Sequence, residues 1–217
     1  MRSDENRNVI SGLVDIELQR REDFISNYVS NLAHEECGEE CPQNTNQDMP
    51  CSENHSSVKR YLEYRENWRK SPKIAFDLST NYETYEEIQP FPLCVDIEIA
   101  SVCDLACPFC FRQSIVTPDK LMKLDDYKDI LSQISELKVP SIKLNWRGEP
   151  LLHPQISEMI RLAKSNGILE VIINTNATRL DEETSKKLID SGLDRMIFSF
   201  DGGSKNTYEK MRPGRFS

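Results

Sequence analysis

The pattern of apolar and polar positions changes near residue 92. Beyond it, short apolar segments alternate with amphipathic segments of helical spacing, two of which end close to Gly167 and Gly192. The predicted strands span 93–100, 141–146, 169–175 and 195–200, and the predicted helices span 125–137, 154–165 and 182–191. The later strand-to-strand steps have the length of βαβ units, so the pattern predicts a parallel α/β fold with right-handed crossovers.

The first 91 residues have a different pattern. Apolar positions at helical spacing predict a helical extension, and the polar segment that follows contains two prolines, as linkers do. A short helix is predicted over 58–70, and we expect its aromatic residues Tyr61, Tyr64 and Trp68 to pack. The expected domains are a helical extension over 1–33, a polar linker over 34–57, a short helix and lead-in over 58–91, and a core over 92–217.

Alternation along the predicted strands separates two sets of side chains, because neighbouring residues of a strand point to opposite faces. The apolar set, expected to face the helices, comprises Val95, Ile97, Ile99, Ile142, Leu144, Trp146, Val171, Ile173, Met196, Phe198 and Phe200. The polar set comprises Asp96, Glu98, Lys143, Asn145, Arg147, Asn174, Asn176, Ser199 and Asp201. Its members become denser toward the carboxyl ends of the strands, where parallel α/β enzymes place their sites. A polar pocket is therefore predicted at that edge.

Three cysteines follow the first predicted strand in the run Cys103-Asp104-Leu105-Ala106-Cys107-Pro108-Phe109-Cys110. The C-x3-C-x2-C spacing puts three thiolates in one loop, which suits an iron–sulfur cluster. Three ligands on a four-iron cluster leave one iron open, as a catalytic metal site requires. A three-cysteine zinc site is the alternative, although no cysteine follows the third one to complete a second pair.

Composition narrows the classes of function. The 217 residues have a formal net charge of −9, which disfavours nucleic acid as the main partner because phosphate contacts need clustered Lys and Arg. No apolar run reaches the roughly 20 residues that span a bilayer, so no membrane role is expected. Seven cysteines without a hydrophobic signal segment are typical of reduced thiols or metal ligands in a cytoplasmic protein.

The cysteine run, with an aromatic residue just before its last cysteine, resembles the signature of the radical S-adenosylmethionine (SAM) family. Two later elements strengthen the resemblance. Residues 147–150 (RGEP) are similar to the family's glycine–glutamate–proline element, and residues 198–202 (FSFDG) are similar to its serine–aspartate–glycine element. Arg147 departs from the pattern, since many members have a second glycine there. The resemblance covers about 92–217 and implies a partial (β/α)6 TIM-like barrel.

The resemblance also implies a chemistry. In the family, three cysteines hold a [4Fe–4S] cluster, and one electron, from a donor such as flavodoxin or ferredoxin, cleaves SAM to methionine and a 5′-deoxyadenosyl radical that abstracts hydrogen from the substrate. The implied iron ligands are Cys103, Cys107 and Cys110. The residues implied in cofactor binding are Phe109, Gly148, Glu149, Asn174, Asn176, Ser199, Asp201 and Arg212. We therefore expect Gly148→Val and Glu149→Ala to weaken SAM binding and to leave the cluster intact.

Each implied SAM contact has a structural alternative. A carboxylate at position 149 can complement a helix N-terminus, and the polar residues at strand ends can close backbone turns. Phe109 can be a loop hydrophobe, and Arg212 can be a solvated surface cation. Buried cations such as Lys143 and Arg147 need anionic partners, either an anionic substrate group or the carboxylates of Glu98 and Asp201.

A second candidate metal site lies in the polar segment. His34, Cys37, Cys41, Cys51 and His55 have short spacings that can bind zinc. The gaps between the cysteines are irregular for zinc folds, so a linker without metal is the alternative.

The predicted function is that of a radical SAM enzyme. Its motifs most resemble members with a C-terminal auxiliary-cluster domain, which act on peptides or proteins or in surface-polysaccharide pathways. The alternatives are a cyclase like the one that begins molybdopterin synthesis, and a non-catalytic iron–sulfur or zinc-binding module.

The predicted core has four strands, whereas the resembled fold has six. We therefore expect the 217 residues to be a fragment of a longer protein. An uncovered strand edge promotes aggregation, so the fragment is expected to be poorly soluble and slow or inactive toward SAM.

Overall fold

The computed structural model of the chain describes residues 56–80, 92–115 and 118–213. In chain order the elements are α1 (Ser56–Thr80), β1 (Cys94–Asp96), α2 (Leu124–Glu136), β2 (Ser141–Lys143), α3 (Ile156–Ser165), β3 (Glu170–Thr175), α4 (Glu182–Asp190), β4 (Arg195–Phe198) and α5 (Lys205–Met211). Short 3-10 helices cover Phe111–Gln113 and Pro150–Leu152. From β1 onward, strands and helices alternate.

Four parallel strands form one sheet in the order β1-β2-β3-β4. Val95 is paired with Ile142, Ile142 with Val171, and Ile173 with Met196. Because every strand runs in the same direction, the carboxyl ends of all four meet at one edge of the sheet. The predicted parallel α/β fold class is confirmed.

The hydrophobic core joins the sheet to α2, α3 and α4. It includes Ile97, Ile99, Ile142, Leu144, Val171 and Ile173 from the sheet segments, and Tyr127, Leu131, Met159, Ile160 and Leu188 from the helices. The Tyr127 hydroxyl donates a hydrogen bond to the Met159 carbonyl oxygen at 3.0 Å, which ties α2 to α3. Full burial of each large aliphatic side chain stabilises the fold by about 1.5–3 kcal/mol.

The helix ends follow local chemistry. The Asp181 carboxylate accepts a hydrogen bond from Thr184 N at 2.7 Å and so caps the start of α4. Gly167 and Gly192, with φ of 81° and 84°, follow α3 and α4 in the left-handed conformation that glycine adopts readily. Both predicted stops are confirmed.

The regular strands β1, β2 and β4 end earlier than the apolar pattern predicts, and the alternation of side chains fails after β2. β1 ends at Asp96, β2 ends at Lys143, and β4 ends at Phe198. The pattern assigns Trp146, Phe198 and Phe200 to the helix-facing side, but they are 64%, 57% and 68% exposed. The chain bends at Leu144, so alternation no longer applies to Trp146, which lines the cavity, and that assignment is wrong. Phe198 lies within β4, and the Phe200 ring packs against Tyr208 of α5 with ring centroids 5.3 Å apart.

The helix α1 is longer than predicted. It continues through Pro72 to Thr80, whereas the sequence predicts an end near residue 70. Tyr61 and Tyr64 are buried, with ring centroids 5.9 Å apart in an edge-to-face arrangement, which confirms that these aromatics pack. Trp68 is partly exposed.

Residues 1–55 lie outside the described part of the chain, and with them lie the predicted extension, most of the predicted linker and the candidate zinc ligands. Across residues 56–80, 92–115 and 118–213, no helix is both long and apolar enough to cross a bilayer.

Candidate functional site

An open cavity of about 210 Å³ lies at the carboxyl edge of the sheet. The loop after β1 lines it with Cys103, Leu105, Cys107, Phe109 and Cys110. β2 and the turn after it line it with Lys143, Asn145 and residues 146–149, and the later segments contribute Asn174, Asn176, Ser199 and Arg212.

The cysteine loop is a tight turn followed by a short 3-10 helix. Cys110 N donates to the Cys107 carbonyl oxygen at 3.0 Å, and the helix Phe111–Gln113 begins directly after Cys110. Burial raises the pKa of the Cys103 and Cys107 thiols. A metal that binds these sulfurs would displace their protons, since the thiolate is the ligand form.

Gly148 packs directly against the backbone that precedes the cysteines. A Cβ atom at this position would lie 1.9 Å from the Ala100 carbonyl oxygen and 2.8 Å from the Val102 carbonyl oxygen. The next residue continues the contact, because Glu149 N donates to the Val102 carbonyl oxygen at 2.9 Å. Only glycine fits here, so the turn after β2 supports the loop that carries Cys103.

The Glu149 carboxylate joins the ends of β2 and β3. It is 2% exposed and accepts hydrogen bonds from Leu151 N at 3.1 Å, Thr175 Oγ1 at 2.6 Å and Asn176 N at 2.8 Å. Burial raises its pKa above the ordinary value, although these three hydrogen bonds act in the opposite direction. Glu149 therefore has a structural role, which includes capping the helix Pro150–Leu152.

Asp104 connects the cysteine loop to the segment after β3. Its Oδ1 lies 2.9 Å from Asn176 Nδ2, and its Oδ2 accepts hydrogen bonds from Thr178 Oγ1 at 2.6 Å and Arg179 Nε at 3.3 Å. Burial raises the pKa of Asp104, but the hydrogen bonds outweigh burial and bring it below the ordinary value. The residue next to the first cysteine is thus a fixed anion.

Arg212 directly follows α5 and lines the cavity. Its Nε donates to Asp201 Oδ2, and its guanidinium carbon lies 5.7 Å from the centroid of the Phe109 ring. The arginine side chain is 14% exposed, so it is not the solvated surface cation that the sequence left as an alternative. Asp201 holds Arg212 but does not itself line the cavity.

Arg147 is also paired with a carboxylate, that of Glu98. It forms two side-chain hydrogen bonds with Glu98, Nε to Oε1 at 3.0 Å and Nη2 to Oε2 at 2.6 Å, and its guanidinium carbon lies 4.8 Å from the Trp146 ring centroid. The predicted pairing with Glu98 is confirmed, whereas Asp201 pairs with Arg212. Lys143 has a weaker contact, with Nζ 4.0 Å from Asp96 Oδ2.

Asn145, which follows β2, and Asn174, which lies in β3, differ in their hydrogen bonding. Asn145 Oδ1 accepts a hydrogen bond from Asn174 N at 2.8 Å. Asn174 Oδ1 is buried and has no hydrogen-bond partner within the described residues, although its side chain lines the cavity. A buried acceptor without a partner is costly, so a ligand donor at this position would be stabilising.

The structure brings together all the site residues predicted from sequence except Asp201. It also adds residues that the sequence analysis did not assign to cofactor binding, chiefly Asn145 and Trp146. Asn145 could have been included, because alternation places it on the polar face. Trp146 could not, since only the bend after β2 turns it toward the cavity.

Comparison with known proteins agrees with this architecture. The family model of the radical SAM superfamily matches residues 97–217, more than half of the chain. The chain belongs to the radical SAM superfamily. Among curated proteins, a probable GTP 3′,8-cyclase of Methanothermobacter marburgensis is 37% identical to this radical SAM protein over 112 residues, which are 52% of this chain and 36% of the relative.

This radical SAM protein is also similar to proteins that are not named as cyclases. A tungsten-containing aldehyde ferredoxin oxidoreductase cofactor-modifying protein of Pyrococcus furiosus is 35% identical over 108 residues, covering 48% of this chain and 30% of that protein. Streptococcus suis SuiB bound to S-adenosylmethionine superposes with a TM-score of 0.50 and 22% identity, covering 75% of this chain and 41% of SuiB. The match to SuiB shows a shared fold, and the chain spans about a third of the two curated relatives.

Replacing Glu149 tests its structural role in this radical SAM protein. Glu149→Ala leaves three hydrogen-bond donors without their acceptor, at a cost of about 2–3 kcal/mol in the free energy of unfolding. We expect the melting temperature of the protein without cofactors to fall by roughly 4–12 °C. Thermal unfolding followed by circular dichroism measures it.

Glu158→Ala is the matched control for this change. Its carboxylate is partly exposed and pairs with Arg161 one turn away, at 3.2 Å. Such a surface pair contributes ~0–1 kcal/mol. Equal melting temperatures for the two variants would show that the Glu149 hydrogen bonds contribute no net stability.

Proposed function

We propose that this protein binds a [4Fe–4S] cluster through Cys103, Cys107 and Cys110 and cleaves SAM reductively next to it. The observation that supports this most directly is that the three thiols line one cavity together with the turn containing Gly148 and Glu149. When bound, the cluster supplies the electron for SAM cleavage. A small electron-transfer protein such as flavodoxin or ferredoxin is the proposed donor.

The side chains that line the cavity suit both the [4Fe–4S] cluster and SAM. Three cysteines in one loop are the ligands that iron–sulfur clusters use. Over the described ranges, no three His, Cys, Asp or Glu side chains converge as ligands of a single metal ion. A four-iron cluster does not need such convergence, because each thiolate binds a different iron. Asn174 Oδ1 and the Arg212 guanidinium offer an acceptor and a cation for SAM.

The residues of this chain would bind and orient SAM from several sides. Arg212, held by Asp201, is proposed to attract the methionine carboxylate, and Phe109 is proposed to pack near the adenine. Gly148 lets the backbone of the turn approach closely, and Ser199 and Asn174 offer hydrogen bonds to ribose hydroxyls. Lys143 provides a cation for an anionic group of the substrate.

The proposal is tested by anaerobic incubation of the reconstituted protein with SAM and dithionite. We expect 5′-deoxyadenosine, detected by chromatography and mass spectrometry. The same protein without dithionite is the control, since cleavage needs an electron. A protein that holds four irons and yet yields no 5′-deoxyadenosine in excess of this control would overturn the proposed reaction.

Two classes of substrate are proposed. The motifs resemble members that act on peptides or proteins or in surface-polysaccharide pathways, and the similarity to GTP 3′,8-cyclases adds a molybdopterin-type cyclase as the second class. The matched segment is shared with a relative of a different name, so it does not select the substrate. Faster 5′-deoxyadenosine formation on addition of GTP would favour the cyclase, and no response to GTP would favour the first class.

Arg212→Ala tests the proposed contact with SAM. Losing a charge-assisted hydrogen bond costs about 1.5–3 kcal/mol, or roughly a tenfold to hundredfold rise in the Kd for SAM. We expect this rise with an unchanged iron content, measured by equilibrium dialysis against labelled SAM. Arg161→Ala, in which an exposed arginine is removed, should keep the parent affinity. An Arg212 variant that binds SAM as tightly as the Arg161 variant would exclude the contact.

A further inference from the structure

Asn176 is held in one orientation beside the first cysteine. Its backbone N–H donates to Glu149 Oε2 at 2.8 Å, and its Oδ1 accepts a hydrogen bond from Thr178 N at 2.9 Å. Its Nδ2 lies 2.9 Å from Asp104 Oδ1 and 3.8 Å from Cys103 Sγ. An amide nitrogen carries two hydrogens, so one can bind the carboxylate while the other points to the sulfur.

The surroundings decide which end of this amide is the nitrogen. Turned over, the amide would place its oxygen against the Asp104 carboxylate and its nitrogen against the Thr178 N–H, and both contacts would be repulsive. The turn that brings Thr178 into place depends on Ala177, which has a φ of 63° in the left-handed region. The strained backbone at Ala177 thus helps to keep the Asn176 side-chain N–H directed at Cys103.

We propose that Asn176 raises the reduction potential of the cluster through its hydrogen bond to Cys103, and that Asp104 orients the amide. This inference rests on the proposed function. Hydrogen bonds to cysteine sulfurs and nearby charges are among the features that set iron–sulfur potentials. Reduction adds negative charge, which the N–H dipole stabilises and a carboxylate destabilises. Asn176 and Asp104 therefore act on the potential with opposite signs.

Asp104 is positioned to orient the side-chain amide of Asn176. Its side chain is 21% exposed, and the hydrogen bonds from Thr178 and Arg179 to Oδ2 leave Oδ1 for the amide of Asn176. Asp104→Asn keeps an oxygen that can accept from Asn176 and removes the charge. Asn176→Ala removes the donor and keeps the charge. The two variants separate the dipole from the carboxylate.

The test is a redox titration of the reconstituted 217-residue protein without SAM, followed by electron paramagnetic resonance of the reduced cluster. We expect Asn176→Ala to lower the ratio of reduced to oxidised cluster at a fixed potential by about tenfold, which is ~59 mV for one electron. Asp104→Asn should raise the same ratio. Asn176→Asp, which keeps the shape and replaces the donor nitrogen by oxygen, should lower it as well.

Asn174→Ala is the matched control, because it removes an amide from the same strand end and the same cavity without a hydrogen bond to Cys103. Its potential without SAM should equal that of the parent. Parent potentials in both Asn176 variants would overturn the inference and leave the proposed function intact. Loss of the cluster from both, with Asn174→Ala still loaded, would also overturn it, since Asn176 would then hold the loop. A parent protein that takes up no cluster would instead refute the proposed function.

Discussion

The variant in which Cys103, Cys107 and Cys110 are all replaced by alanine should bind no iron at the cavity and form no 5′-deoxyadenosine. The parent protein, reconstituted anaerobically with iron and sulfide, should be brown and hold about four irons per chain. The reason is that the three thiols, gathered on one cavity by a single loop, are its proposed iron ligands. Iron and sulfide analysis, together with the visible spectrum, measures the loss.

Cys94→Ala provides the control for losing a thiol. Cys94 is the first residue of β1, at the end of the strand opposite to the cysteine loop, and burial raises its pKa. This variant should keep the parent's iron. Equal iron in the triple variant would contradict the assignment and move the cluster elsewhere in the chain, with Cys37, Cys41 and Cys51 as the remaining thiols to test.

Gly148→Val should cost the protein both stability and its cluster. The new Cβ would overlap the Ala100 carbonyl oxygen, and backbone cannot yield as a flexible side chain does. We expect a loss of at least about 3 kcal/mol in the free energy of unfolding, or roughly 6–12 °C in melting temperature. Iron content should fall as well, because the displaced backbone leads directly into Cys103. This revises the expectation from sequence that the cluster stays intact.

Gly203→Ala is the matched control, since a Cβ at that position meets no atom within 4 Å. It should change the melting temperature and the iron content little. A Gly148→Val protein with the parent's iron and melting temperature would show that the loop accommodates the side chain. The tight packing of the turn would then have no role in supporting the cysteines.

Much of the fold was predictable because strands and helices have different apolar periods. The period identified all four strands and the three helices between them, and the two glycines with positive φ marked where α3 and α4 stop. It could not mark the carboxyl ends of the strands. After β2 the chain bends toward the cavity, as at Trp146, and side chains no longer alternate between two faces.

The sequence predicted which residues line the site better than it predicted what each of them contacts. Motif spacing identified the cysteines and the turn at residues 147–150, and strand alternation identified Asn174 and Asn176. Hydrogen bonding depends on distances between distant segments, which spacing does not contain. Thus the motif implied that Glu149 binds the cofactor, but it did not contain the three hydrogen bonds by which this carboxylate joins β2 to β3. The support of the Cys103 loop by Gly148 was likewise visible only from the backbone contact.

The ion pairs in the cavity determine how this protein can attract an anion. Arg147 and Arg212 each come with a carboxylate, from Glu98 and Asp201, so each pair adds directional N–H donors and almost no net charge. The chain as a whole has a formal net charge of −9. These two pairs therefore give an approaching anion little long-range attraction, and they contribute to its selection at contact distance. These paired arginines differ in this respect from clustered, unpaired cations, whose long-range field attracts anions and is screened by salt.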